Sequence, residues 1–275
     1  MTGFMRNLRS GLAFIPFVWR AQLAYSYSVW INLVIETLGL VLVYYFWRAV
    51  YVGHTTIQGY PESTAVSLMV WARIFAVLLT NSNGLEYVGL SYFGRLVRDG
   101  ELATELLRPV DLQWVSFTKS LGRLAFELVL RIPLILIATV VFDVALPTHP
   151  LSWLQFLSSA FLGYTIIYLF DWTLSCLAFV TTATWGLNMI RWGVAAFLGG
   201  TLIPVSWLPP ALAAVALHSP FGQALAVPLS LLLDGVANPP WSWIVLEQLG
   251  WIVVYTIVSR YVYGQAQKVV TIAGG

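Results

Sequence analysis

Six stretches of this chain, each close to the length of a membrane-crossing helix and predominantly apolar, decide most of what it can become. They run from about Ser26 to Trp47, Thr64 to Ser82, Leu124 to Leu146, Trp153 to Val180, Leu187 to Ile203 and Trp241 to Val262. A helix needs about twenty mostly apolar residues to cross a bilayer. Apolar residues make up 59% of the chain and charged ones 9%, against roughly 45–50% and about 25% in soluble domains. No soluble core could hide so much apolar surface, whereas lipid accepts it. The 13 tryptophans and 13 tyrosines suit the interfacial belts of a bilayer. The expected fold is therefore all-α and polytopic, one membrane domain with six transmembrane helices.

Basic residues set the orientation. Arg6, Arg9 and Arg20 precede the first span, and Arg95, Arg98, Arg108, Lys119 and Arg123 fall between the second and third. Arg191 begins the fifth, and Arg260 and Lys268 lie near the C-terminus. The opposite side holds Arg48, while Arg73 and Arg131 lie inside spans. The positive-inside rule then puts both termini and the second connection in the cytoplasm, and makes this a multi-pass protein of the cell membrane. The histidines His54, His149 and His218 face outward, too dispersed for a metal site.

The connections differ in character. Within residues 1–25, Phe4, Leu8, Leu12, Ile15 and Trp19 recur at helical spacing, as in a retained helix lying in the cytoplasmic interface. Residues 84–122 form the one sizeable soluble loop. Residues 201–240 are apolar but broken by seven prolines from Pro204 to Pro240, which fits short re-entrant helices in the outer leaflet better than a straight span.

The usual signatures of catalysis are missing. Neither lysine follows a glycine-rich phosphate loop, and H-E-x-x-H and G-x-S-x-G do not occur. Cys176 lies in an apolar run and reads as an inert small hydrophobe. The chain is expected to be no enzyme and to bind no cofactor or nucleic acid itself. Its cytoplasmic loop is the more informative stretch. Asp99 can cap a helix over Gly100–Arg108 that Pro109 helps to end, with Glu101 and Glu105 near its start and Arg108 at its end. Leu102 and Leu106, with Leu107 beside them, form an apolar ridge that a partner's groove could grip.

The segment GELATELLRPV, then GGTLIPVSWLP about ninety residues later, then SPFGQALAVP, resembles type-2 ATP-binding-cassette (ABC) exporter permeases. The branch most similar is the one related to drug-resistance and polysaccharide export permeases. That resemblance implies a half-channel paired with a second permease, a related paralogue or a second copy, and with two ATPase subunits that hold the ATP and magnesium. It makes Gly100–Pro109 the coupling helix seated on the ATPase. Gly199, Gly200, Pro204, Pro209 and Pro220 become candidates for an outer gate.

Charges within the spans complete the reading, since each costs a few kcal/mol or more at mid-bilayer. Glu36 and Arg73 lie at similar depth in adjacent spans and are expected to pair. Glu127 and Arg131 share a helix face four residues apart, and Asp171 lies in the inner half of the fourth span. Glu247 has no evident partner, which points it to a subunit interface or an aqueous cavity. These residues either line a pathway or stitch the bundle together. The expected function is export of an amphipathic or hydrophobic substrate; the alternative is a secondary transporter coupling ions through Glu36, Glu127 and Asp171.

Overall fold

The computed structural model describes residues 16–24, 26–79, 111–144, 149–179, 184–233 and 240–273, with Tyr92, Leu96, Asp99, Glu101 and Glu105. It is nearly all helical. Helix α1 covers residues 16–24, α2 Ser26–Val50, α3 Glu62–Phe75, α4 Leu112–Val140 and α5 Pro150–Ser175. Then follow α6 (Thr184–Leu198), α7 (Pro210–His218), α8 (Pro220–Ala224), α9 (Ala226–Leu232) and α10 (Trp241–Ala273). Between α2 and α3 lies a two-stranded hairpin, β1 (Thr56–Ile57) and β2 (Tyr60–Pro61). Its turn residues Gln58 and Gly59 both have positive φ, the backbone a two-residue hairpin turn favours.

Four helical stretches are long and apolar enough to cross a membrane: Val29–Val50, Glu62–Leu79, Pro150–Ala178 and Trp241–Lys268. A fifth is possible if Pro210–His218 and Pro220–Leu232, bent by 61°, count as one broken span. The six expected spans are thus reduced on this criterion, for two physical reasons. Helix α4, expected to start at Leu124, begins at Leu112 and carries Lys119, Arg123, Glu127 and Arg131. Helix α6 has only 15 residues, about 22 Å at 1.5 Å per residue.

Helix α5 is the centre of the bundle, with α10, α8 and α9 packed along it. Gly163 makes the closest of these approaches possible: a Cβ there would lie 2.5 Å from the Gln223 carbonyl oxygen and 2.6 Å from Ala224 Cα. The same junction is held by Gln248 of α10. Its Nε2 donates to Ser159 Oγ at 2.9 Å and to the Gln223 carbonyl at 2.9 Å, all within the buried core. On the other flank, buried tyrosines bind α5 to α4. Tyr164 Oη donates to the Ser120 carbonyl at 3.1 Å and Tyr168 Oη to that of Gln113.

The outer helices are shaped by backbone chemistry. Helix α6 ends in a left-handed Gly200, with φ 79°. The amides of Thr201 and Gly200 return to the carbonyls of Ala196 and Phe197, a Schellman stop. Ser219 caps α8 by accepting from the Gly222 amide. Gly222 itself sits so close under α7 that a Cβ would be 2.0 Å from the Ala216 carbonyl oxygen.

At the other end, Trp19 of α1 donates its ring N–H to the Gly122 carbonyl at 3.0 Å and stands edge-on to Phe126. Phe17 and Leu23 of the same short helix are exposed; Phe4, Leu8, Leu12 and Ile15 lie outside the described residues. Trp30, Val34, Leu38, Leu42 and Tyr45 of α2, and Leu246, Val253, Ile257 and Tyr261 of α10, leave wholly apolar faces turned outward.

Gly163→Val is expected to destabilise the protein by about 1–3 kcal/mol, because backbone, not a flexible side chain, occupies the space. A lowered melting temperature in detergent would register this. Gly250→Ala, inside α10 and with nothing within 4 Å of the added carbon, should instead stabilise by about 0.5–1 kcal/mol.

Candidate functional site

The charges inside the spans are gathered into clusters. Glu36 of α2 meets Arg73 of α3 at 2.8 Å, as their matched depth predicts, and the same carboxylate oxygen is 3.4 Å from Arg131 of α4. Arg131 also reaches Glu127, one turn away, at 3.4 Å. Two carboxylates and two guanidiniums therefore form one chain across three helices. Gly39, one turn above Glu36, clears the path: a Cβ there would be 2.6 Å from Arg73 Nη2. Glu36 and Arg73 keep 20% and 28% of their side chains exposed, whereas Arg131 keeps 6%. The exposed part borders a cavity of about 440 Å³ between α2, α3, α4 and α6, lined by Val43, Ala76, Trp192 and Thr201 among others.

A second buried pair lies deeper in the bundle. Arg191 of α6 grips Asp171 of α5 with two bonds, Nε to Oδ1 at 2.8 Å and Nη2 to Oδ2 at 2.7 Å. Its remaining nitrogen, Nη1, donates to the Leu79 carbonyl at 2.6 Å. Leu79 ends the tight turn Ala76–Leu79 that follows α3. A carbonyl at a helix end has no partner within the helix, so Arg191 supplies one from another span. The guanidinium also stands 5.6 Å from the Phe221 ring centroid in α8. Four elements thus meet at one cation. Arg191 and Arg123, two of the basic residues counted toward the cytoplasmic side, are both buried, with Arg123 beside Tyr164.

The outer helices enclose a further cavity of about 440 Å³, lined by Gly199, Gly200 and Pro204 with residues of α3, α9 and α10. Pro209 and Pro220 stand at the starts of α7 and α8. Glu247, expected to lack a local partner, has one: His218 Nδ1 lies 2.6 Å from its Oε1. The two are 29 residues apart in sequence, and the fold brings the last residue of α7 to α10. Both line this cavity.

Of the expected coupling helix, Gly100, Leu102, Leu106, Leu107, Arg108 and Pro109 lie outside the described residues. Glu101 is helical and exposed, and Glu105 helical and half-buried.

The shared carboxylate makes an asymmetric prediction. Arg73→Leu leaves Glu36 with Arg131, whereas Glu36→Leu removes the one carboxylate between two guanidiniums. Glu36→Leu is therefore expected to destabilise more, by about 3 kcal/mol. Adding Arg73→Leu to it should recover part of that loss. A double-mutant cycle on melting in detergent checks this; additive losses would show that the pair is not coupled.

Compared with known proteins, residues 37–274 match the family model described as ABC-2 family transporter protein. No curated protein and no solved structure matches the chain. The matched stretch covers most of the chain; the Asp171–Arg191 and His218–Glu247 pairs lie inside it, Glu36 lies one residue before its start, and four or more helices of the chain suit a membrane. The chain belongs to the ABC-2 family of transporter proteins, as a multi-pass membrane subunit of the kind that works with ATPase partners.

Proposed function

We propose that this chain is one half of the transmembrane channel of an ABC exporter in the cell membrane, moving an amphipathic or hydrophobic substrate with energy from separate ATPase subunits. The observation that carries the reading is the pairing of family membership with a partly exposed charge cluster, Glu36, Arg73 and Arg131, on a cavity between apolar helices. In this reading all six expected spans cross. Helix α4 does so with its charges turned into the bundle, where Arg123, Glu127 and Arg131 are buried. Helix α6 does so by continuing through the Gly199–Gly200 turn into the outer helices. Setting aside the buried Arg123 and Arg191 leaves nine of eleven basic residues on the side assigned to the cytoplasm, so the orientation argument survives.

Two ATPase subunits would seat on the loop over Gly100–Pro109, and a second permease, a paralogue or another copy, would complete the channel. ATP and magnesium would be held by the ATPases. The loop follows directly after α3, whose end is tied to α5 and α6 through the Leu79 carbonyl and Arg191. A push on the loop would therefore be felt by three spans. The ion-coupled alternative draws little from the geometry, since Glu36, Glu127 and Asp171 are each held by an arginine.

Leu106→Asp tests the coupling role. Burial of a leucine in a groove is worth about 1.5–3 kcal/mol, so a charge there should detach the ATPase while the melting temperature of the chain holds. Copurification and stimulated ATPase activity equal to those of the parent protein would sink the assignment. Topology has its own test: a cysteine at the exposed Ser206, in a Cys176→Ala background, should react with a membrane-impermeant thiol reagent on intact cells. Reaction only after lysis would reverse the orientation.

A further inference from the structure

The cavity beneath the outer helices has a composition that selects a ligand. Leu68 of α3, Val205, and Val227 and Leu229 of α9 give it apolar walls. Its volume of about 440 Å³ falls in the range of small-molecule sites, which pair apolar walls with a few convergent polar groups. Here those groups include Glu247 and His218, which stand together, with Gln223 and Trp243 also in the lining. Among the described lining residues Glu247 is the one carboxylate, and no lysine or arginine joins it.

The His218 bond occupies Oε1 of Glu247. Among the described residues nothing bonds Oε2. His218 approaches from the open side, with 67% of its side chain exposed, while Glu247 keeps 22%. The imidazole thus orients the carboxylate from outside and leaves its second oxygen to an occupant. A carboxylate in the lining of an apolar cavity attracts a cation strongly, because low dielectric amplifies the interaction. Trp243 in the same lining is an aromatic of the kind a cationic head also favours. An anion would meet the carboxylate, and a wholly apolar molecule would bury that charge without compensation.

We propose that this cavity is a binding site for cationic amphiphiles, molecules with an apolar body and a protonated amine, with the amine at Glu247 and the body among Leu68, Val205, Val227 and Leu229. As a statement about what is transported, it rests on the permease reading; as a statement about binding, it stands on the cavity alone. Glu247 is then the residue that chooses by charge, and His218 the one that positions it.

The test uses the full chain with whatever copurifies, in lipid nanodiscs at about pH 8, above the ordinary imidazole range. The probes are a photoactivatable diazirine decylamine and the matching diazirine decanol, with labelled residues mapped by mass spectrometry. The amine should label the α9 wall at least about tenfold more than the alcohol does. Glu247→Gln should remove that preference and leave alcohol labelling unchanged. Val227→Trp, or Ser206→Trp if the first does not fold, should suppress both by filling the space. Equal labelling by amine and alcohol, a charge preference that survives Glu247→Gln, or labelling confined to lipid-facing residues would each overturn the proposal. Charge-dependent labelling without a copurifying ATPase would keep the site and remove the permease reading. A copurifying ATPase without charge-dependent labelling would do the reverse.

Discussion

Taking a carboxylate and a guanidinium out of water costs several kcal/mol for each ion, and only close, well-bonded partners return it. Two of the places where the described residues meet this constraint shape the architecture. At Asp171 and Arg191 the geometry is bidentate, and the spare nitrogen of the arginine reaches a helix-end carbonyl that would otherwise lack a partner. At Glu36 the pairing is looser and shared, with one oxygen serving two arginines on different helices. The first arrangement locks α5, α6 and the end of α3 into one relation. The second ties α2, α3 and α4 together while leaving part of the cluster open to a cavity.

Around these bonds the packing is made by what is small. Lipid offers no hydrophobic advantage to helices that leave it for one another, so close association depends on backbone approach and on hydrogen bonds between helices. Gly163 brings α5 against the Gln223–Ala224 backbone, and Gly222 lets α8 turn beneath α7. Gln248 then bridges α10, α5 and the α8 backbone with a single amide nitrogen. These contacts fix the short helices α7, α8 and α9 against α5 and α10.

Much of this was legible in the sequence, and the failures have a common cause. Apolar runs located the long helices, because hydropathy reports what lipid demands residue by residue. Proline placement marked the broken outer segment, and matched depth in adjacent antiparallel spans anticipated the Glu36–Arg73 contact. The partners of Asp171 and Glu247 were missed. Each lies on a different element from its partner, 20 and 29 residues away, and nothing in local periodicity marks such a meeting. A distant Asp or Glu left unpaired in a span was the signal available, and Asp171 was that residue.

The two charge clusters also differ in what they permit. A bidentate arginine–carboxylate pair is geometrically demanding, so a shift of α5 against α6 weakens one or both of its bonds. A carboxylate shared between Arg73 and Arg131 is under no such demand. If α3 moved away from α2, Glu36 would keep Arg131; if α4 moved, it would keep Arg73, and Arg131 would keep Glu127. The carboxylate is spared the cost of standing alone in either case. If, as proposed, the spans rearrange with ATPase partners, such a cluster suits a moving joint and the bidentate clamp a fixed one. On that reading the hinge would lie on the α2 side of the bundle and the rigid body around α5, the side that carries α7, α8, α9 and the cavity beneath them.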